Sequence, residues 1–330
     1  MILTLTVLSL GAVAAPLPAA APRDTIEIRE WTVPWEKTTP RDPYIAADGR
    51  VWFCGQRGNY IAVMDPRNGD FKRYELAEGT HPHNLIIDKT GFIWYAGNRN
   101  AHIGRLDPKT GEVTKYPMPD PAAADPHTLI FDRSENIWFT VQNGGFVGHL
   151  NTKNGKVNLV KIPGERTRPY GIMMNSKDHP WFNLFGTNKI GTIDPKTMEL
   201  REYVLPNERA RGRRIAITSD DMVWYVDYTR GFLGRLDPAT AKVDEIPSPG
   251  GSNALPYALT VDDKDRLWYA ETAPNKPNQI IGYDTKSRSF VPGIAVPSGG
   301  GTVRHAIYHR PTKSLWFGTD ANTLARVRLP

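Results

Sequence analysis

Residues 126 to 163, PHTLIFDRSENIWFTVQNGGFVGHLNTKNGKVNLVKIP, alternate short apolar runs with polar turns. One run ends at Phe131, a second passes through Trp138, a third spans Val147 to Leu150, and a fourth closes on Ile162-Pro163. Each run has the length of a strand and is bounded by Asp, Asn, Gly or Ser. The pattern returns along the chain, marked by Trp52, Trp94, Trp138, Trp181, Trp224, Trp268 and Trp316 at spacings of 42 to 48 residues. Four strands per repeat at this period predict a β-propeller blade, because one small sheet cannot bury both faces alone whereas sheets stacked about an axis can. The expectation is an all-β, seven-bladed β-propeller.

The stretch Ile26 to Pro34 also alternates and resembles the fourth strands at VTKYPMP (113), LREYVLP (200) and VDEIPSP (243). The last repeat ends at LARVRLP with three strands only, so the N-terminal strand is expected to complete that blade and close the ring. Third and fourth strands are joined by turns such as DPRNG (65), DPKTG (107) and NTKNG (151). There Asp opens the turn, Pro fixes φ and Gly supplies the left-handed residue, which is scaffold chemistry.

Ahead of the repeats, MILTLTVLSLGAVAAPLPAAAP is uncharged and apolar and reads as a secretory leader, residues 1–21. The expected organisation is that leader followed by one propeller domain, 22–330, periplasmic or secreted and monomeric, with no stretch long enough to span a membrane. A net charge of +6 is spread over every repeat, with no basic run longer than Arg213-Arg214, which argues against nucleic acid as a partner. The single cysteine, Cys54, excludes an internal disulfide.

Eleven residues before the seven tryptophans stand Arg41, His83, His127, Tyr170, Arg213, Tyr257 and His305. These positions open the first strands, so they are expected to rim one mouth of the central channel. Arg, His and Tyr there would donate hydrogen bonds to oxygen atoms of a small, possibly anionic ligand, and His adds proton transfer near neutral pH. At the ends of the second strands, on the same mouth, carboxylates gather on one side as Asp227, Glu271 and Asp320. Such a group either holds a hard cation or pairs with Arg213 and Arg304. His305 and Asp320 belong to one repeat and are expected side by side.

The repeats of form P-H-x-x-x-x-D-x-x-x-x-I-W-F-T, followed by I-G-R-L-D-P-K-T-G and a Y-P-x-P strand, resemble the streptogramin B lyases, also called virginiamycin B lyases. The resemblance covers all seven repeats. It implies a seven-bladed propeller that opens cyclic depsipeptides by Mg²⁺-assisted elimination across the ester, with no water consumed. Carried over residue by residue, it makes His305 the base and puts Asp320 in the place of one metal-holding Glu. The other metal Glu is replaced by Val303, a substrate-polarising His by Tyr257, and a first-blade Tyr by Arg41, with Tyr44 nearby. Glu271 is the candidate to replace the lost metal ligand.

Three functions follow as alternatives. The first is a carbon–oxygen lyase using His305, with Mg²⁺ at Asp320 and Glu271. The second is a lactonase-like hydrolase with a central metal. The third is a non-catalytic propeller binding an anionic ligand or a protein through Arg41, His83, His127 and Arg213.

Overall fold

The hairpin signals form hairpins. A computed structural model describes residues 26–329 and contains seven four-stranded antiparallel sheets. Six are continuous in sequence; the third, for instance, is Pro126–Phe131, Ile137–Val141, Phe146–Leu150 and Val157–Lys161. The seventh takes Ala306–His309, Ser314–Gly318 and Thr323–Arg328, and its outer strand is Ile28–Thr32, paired so that Trp31 faces Leu324. First strands of neighbouring blades pack on one another all the way round. The result is a seven-bladed β-propeller with the first strands lining its axis. Among the described residues no helix is long and apolar enough to cross a membrane. The leader expected at 1–21 lies outside the described residues.

Much of the repeat motif is architecture. Asp88 caps its turn by accepting from the Thr90 and Phe92 backbone N–H groups at 2.9 and 3.0 Å, and it also accepts the Trp94 indole N–H at 2.8 Å. Asp262 serves Lys264, Arg266 and Trp268 in the same way, at 2.9, 2.9 and 3.0 Å. The Asp placed six residues before Trp therefore satisfies a turn and a buried donor together. The glycine of I-G-R-L is also structural. Gly104, Gly148 and Gly234 lie opposite Tyr95, Phe139 and Tyr225, and a Cβ on any of them would overlap the ring.

One departure from regular pairing builds the interior of the channel. In the third blade Pro126 pairs with Val141 and Leu129 with Phe139, so His127 and Thr128 together oppose Thr140 alone. The same slip occurs between Pro82 and Leu85, Pro169 and Ile172, Gly212 and Ile215, and Pro256 and Leu259; in the first blade it falls between Arg41 and Tyr44. A bulge of this kind re-aims side chains, and here it turns two successive residues toward the axis at different heights.

The seventh blade differs. Its first hairpin pairs Ile307 with Trp316, whereas the sixth pairs Thr260 with Trp268, so the last loop is one residue longer. The extra residue is taken up in the 3-10 turn Arg310–Thr312. Counting back from Trp316 therefore misplaces the start of this strand by one. Arg304 stands level with His83, and His305 stands one level deeper, with Asn84.

Candidate functional site

The bulges give the channel two stacked rings of side chains. The upper ring is Arg41, His83, His127, Tyr170, Arg213, Tyr257 and Arg304. The lower ring is Asp42, Asn84, Thr128, Gly171, Arg214, Ala258 and His305. The expected rim is thus a filled plug, not an open mouth: Arg41, His83, His127, Tyr170 and Tyr257 are all buried.

In the plug the rings of His83 and His127 lie 3.6 Å apart between centroids, and those of His127 and Tyr170 lie 4.1 Å apart. The hydroxyls of Tyr170 and Tyr257 share a hydrogen bond. The Arg213 guanidinium sits 3.7 Å from the Tyr257 ring centroid, 4.1 Å from Tyr228 and 4.8 Å from Phe185, an aromatic cage that holds a cation by its ring faces. His83 donates through Nδ1 to the His127 carbonyl at 3.2 Å.

Beneath it, Arg214 ties the blades together across the axis. Its Nη1 donates to Thr128 Oγ1 at 3.1 Å and its Nε to the Arg304 carbonyl at 3.0 Å, and its Nη2 lies 3.6 Å from Asp42 Oδ2. Asp42 also accepts from Arg41 Nε at 3.1 Å and from Asn84 Nδ2 at 2.9 Å. Two guanidinium groups, Arg41 and Arg214, thus flank one carboxylate, while Arg213 stays in the aromatic cage above them. The Nη2 atoms of Arg41 and Arg214, Nε of Arg213, Nε2 of His127 and Nδ1 of His305 are buried without a hydrogen-bond partner among the described residues.

Electrostatics follow from burial and these charges. Burial opposes ionisation of Asp42, yet Arg41 and its neighbours hold the carboxyl well below the usual carboxylate range. Burial, reinforced by the arginines, drives His83 and His127 well below an ordinary histidine. His305 falls to about 4, chiefly by burial, with Asp42 pulling the other way. All three imidazoles are neutral at pH 7, so the histidines do not add to the positive charge of the channel.

The expected carboxylate cluster is dispersed. Asp320 gives both oxygens to Arg304, its ring neighbour, and does not pair with His305. Glu271 is buried and accepts from Ser248 Oγ at 2.5 Å and the Gly250 backbone N–H at 2.8 Å, which fixes the loop above the sixth blade. Asp227 accepts from the Arg211 backbone at 3.0 Å and pairs with Arg230 at 3.2 Å. Tyr44 lies below the rings, lining the lower channel. Among the described residues no three His, Cys, Asp or Glu side chains come together in a metal-binding group, and Val303 is fully buried. The residues present do not fit a divalent cation such as Mg²⁺ at Asp320 and Glu271.

Sequence reasoning placed six of the seven upper-ring residues, put His305 where Arg304 stands, and missed Asp42, Asn84, Thr128 and Arg214. The signal was a second polar residue following five of the seven ring positions, clearest in the pair Arg213-Arg214. A simple strand alternation would have pointed that second residue into the blade.

A model of the virginiamycin B lyase family matches residues 26–327. A streptogramin B lyase structure superposes with TM-score 0.82 at 26% identity, over 92% of this chain and 98% of its own. The virginiamycin B lyase from Staphylococcus aureus superposes with TM-score 0.83 at 23% identity, over 93% and 100%, a likeness of fold. A catalytically inactive histidine-to-alanine variant of that enzyme, crystallised with quinupristin, superposes equally well, at TM-score 0.83 and 23% identity over 93% and 100%. No curated protein matches the chain.

Proposed function

The chain belongs to the virginiamycin B lyase family, and from that premise we propose that it uses its axial channel to bind a small anion, not to carry out metal-assisted elimination. The observation that carries this reading is the charge balance of the channel: Arg41 and Arg214 share the single carboxylate of Asp42, Arg213 rests on aromatic rings, and several of their N–H groups are unpaired. Buried charge without a partner is costly, and an anionic ligand supplies one.

Elimination would need a base and an electrophile on the ester carbonyl. A histidine near 4 is a weak base at neutral pH, and Arg304 occupies the carboxylate that would hold the metal. The lactonase-like alternative meets the same lack of metal donors.

Thermal unfolding of the full chain in sodium acetate, compared with sodium chloride at equal ionic strength, tests binding. Acetate is expected to raise Tm above the chloride value. Incubation with quinupristin and Mg²⁺ tests chemistry: the chromatographic profile of the depsipeptide is expected to stay unchanged, and appearance of its ring-opened product would contradict the proposal.

A further inference from the structure

Below the second ring lies a cavity of about 280 Å³. Its ceiling is Asn84, Thr128, Arg214 and His305. Its walls come from the next axis-facing level of the first strands, where Ile86, Ile130, Met173 and Ile307 form an apolar sleeve that Tyr44 and Thr260 complete. The position two residues beyond the bulge must face the axis again by the alternation of a strand, which is why the sleeve follows directly beneath the ring. Ile130, Met173 and Ile307 keep partial exposure although they lie on inner strands, so the sleeve is not filled by the protein's own side chains.

We infer that this cavity binds a monocarboxylic acid with an apolar body, its carboxylate against Arg214 and its hydrocarbon part directed down the sleeve. The inference rests on the anion-binding reading above and adds the side of approach and the class of ligand.

Two independent features carry it. Arg214 is 2% exposed, its Nη2 makes no hydrogen bond, and its one carboxylate partner is shared with Arg41. A free inorganic anion would satisfy that charge but leave the sleeve wet. A neutral hydrocarbon would fill the sleeve and leave the charge uncompensated. A carboxylate on an aliphatic or aromatic body meets both conditions in one molecule, and a cavity of this size suits a small one. The upper end is closed by the His, Tyr and Arg plug, so the ligand approaches from the opposite end of the channel.

The test is a thermal-shift titration of the full chain with sodium hexanoate, sodium acetate and 1-hexanol at matched ionic strength. Hexanoate is expected to reach half-saturation at a concentration at least about tenfold below that of acetate, since each buried methylene adds to affinity. Hexanol is expected to give no shift. Ile130→Trp and Met173→Trp, each narrowing the sleeve, are expected to bring half-saturating hexanoate up to that of acetate. Equal responses to hexanoate and acetate, an equal response to hexanol, or a hexanoate advantage that survives both variants would overturn this inference while leaving anion binding in place. Absence of a shift with either salt would overturn both.

Discussion

At the scale of single residues, the channel is a set of groups that each depend on a neighbour for their charge state. Asp42 stays ionised in a buried place because Arg41 and Arg214 flank it, and the histidines stay neutral because burial, reinforced by those arginines, makes protonation unfavourable. This has a consequence for stability. Unfolded, each histidine titrates near 6.5; folded, His305 titrates near 4, and His83 and His127 well below the ordinary value. The unfolded chain therefore binds more protons over that window, and stability falls as pH drops below about 6.5. For His305 alone the loss at pH 5 is of order 2 kcal/mol. Tm is expected to decline steadily from pH 7 to pH 5, and His305→Asn is expected to reduce the slope. A Tm independent of pH over that range would mean that the imidazoles are solvated or already protonated.

At the scale of elements, the bulge and the glycine do the shaping. The bulge at the head of the first strand in blades one to six converts one axis-facing position into two, and so creates the ring that holds Asp42, Asn84, Thr128 and Arg214. The glycine in the third strands of blades two to five lets an aromatic ring from the second strand lie across it, as Phe139 does over Gly148. Gly148→Ala is expected to cost about 1–3 kcal/mol in urea unfolding because Phe139 is enclosed and cannot move aside freely; an unchanged midpoint would show that the ring has room. These elements also explain what could be read from the sequence. The tryptophan period and the Asp-Pro-Gly turns predict strands and blades directly, because local chemistry decides them. Arg41, His83, His127, Tyr170, Arg213 and Tyr257 were placed on the right level for the same reason. His305 was not, because one additional loop residue near Arg310 shifts a register that counting from Trp316 assumes to be constant.

At the scale of the whole molecule, the channel brings together residues far apart in sequence, and its chemistry depends on which partners meet across the axis. Arg214 from the fifth blade reaches Thr128 of the third, Asp42 of the first and the Arg304 carbonyl of the seventh. No local pattern reports such encounters, which is why the carboxylates Asp227, Glu271 and Asp320 read in the sequence as one group, holding a cation or pairing with Arg213 and Arg304, and are held apart in the fold, Asp320 by Arg304, Asp227 by Arg230 and Glu271 by Ser248. Three guanidiniums, one carboxylate and an apolar sleeve beneath them remain as the feature with chemical purpose. Its most direct test is a crystal structure of the full chain grown with 6-bromohexanoate, with the bromine located by anomalous scattering. The account expects the bromine within the sleeve among Ile86, Ile130 and Met173, and a carboxylate oxygen within hydrogen-bonding distance of Arg214. Bromine bound at the outer end beside Arg304 and Asp320, or absent from the channel in crystals saturated with the acid, would contradict it.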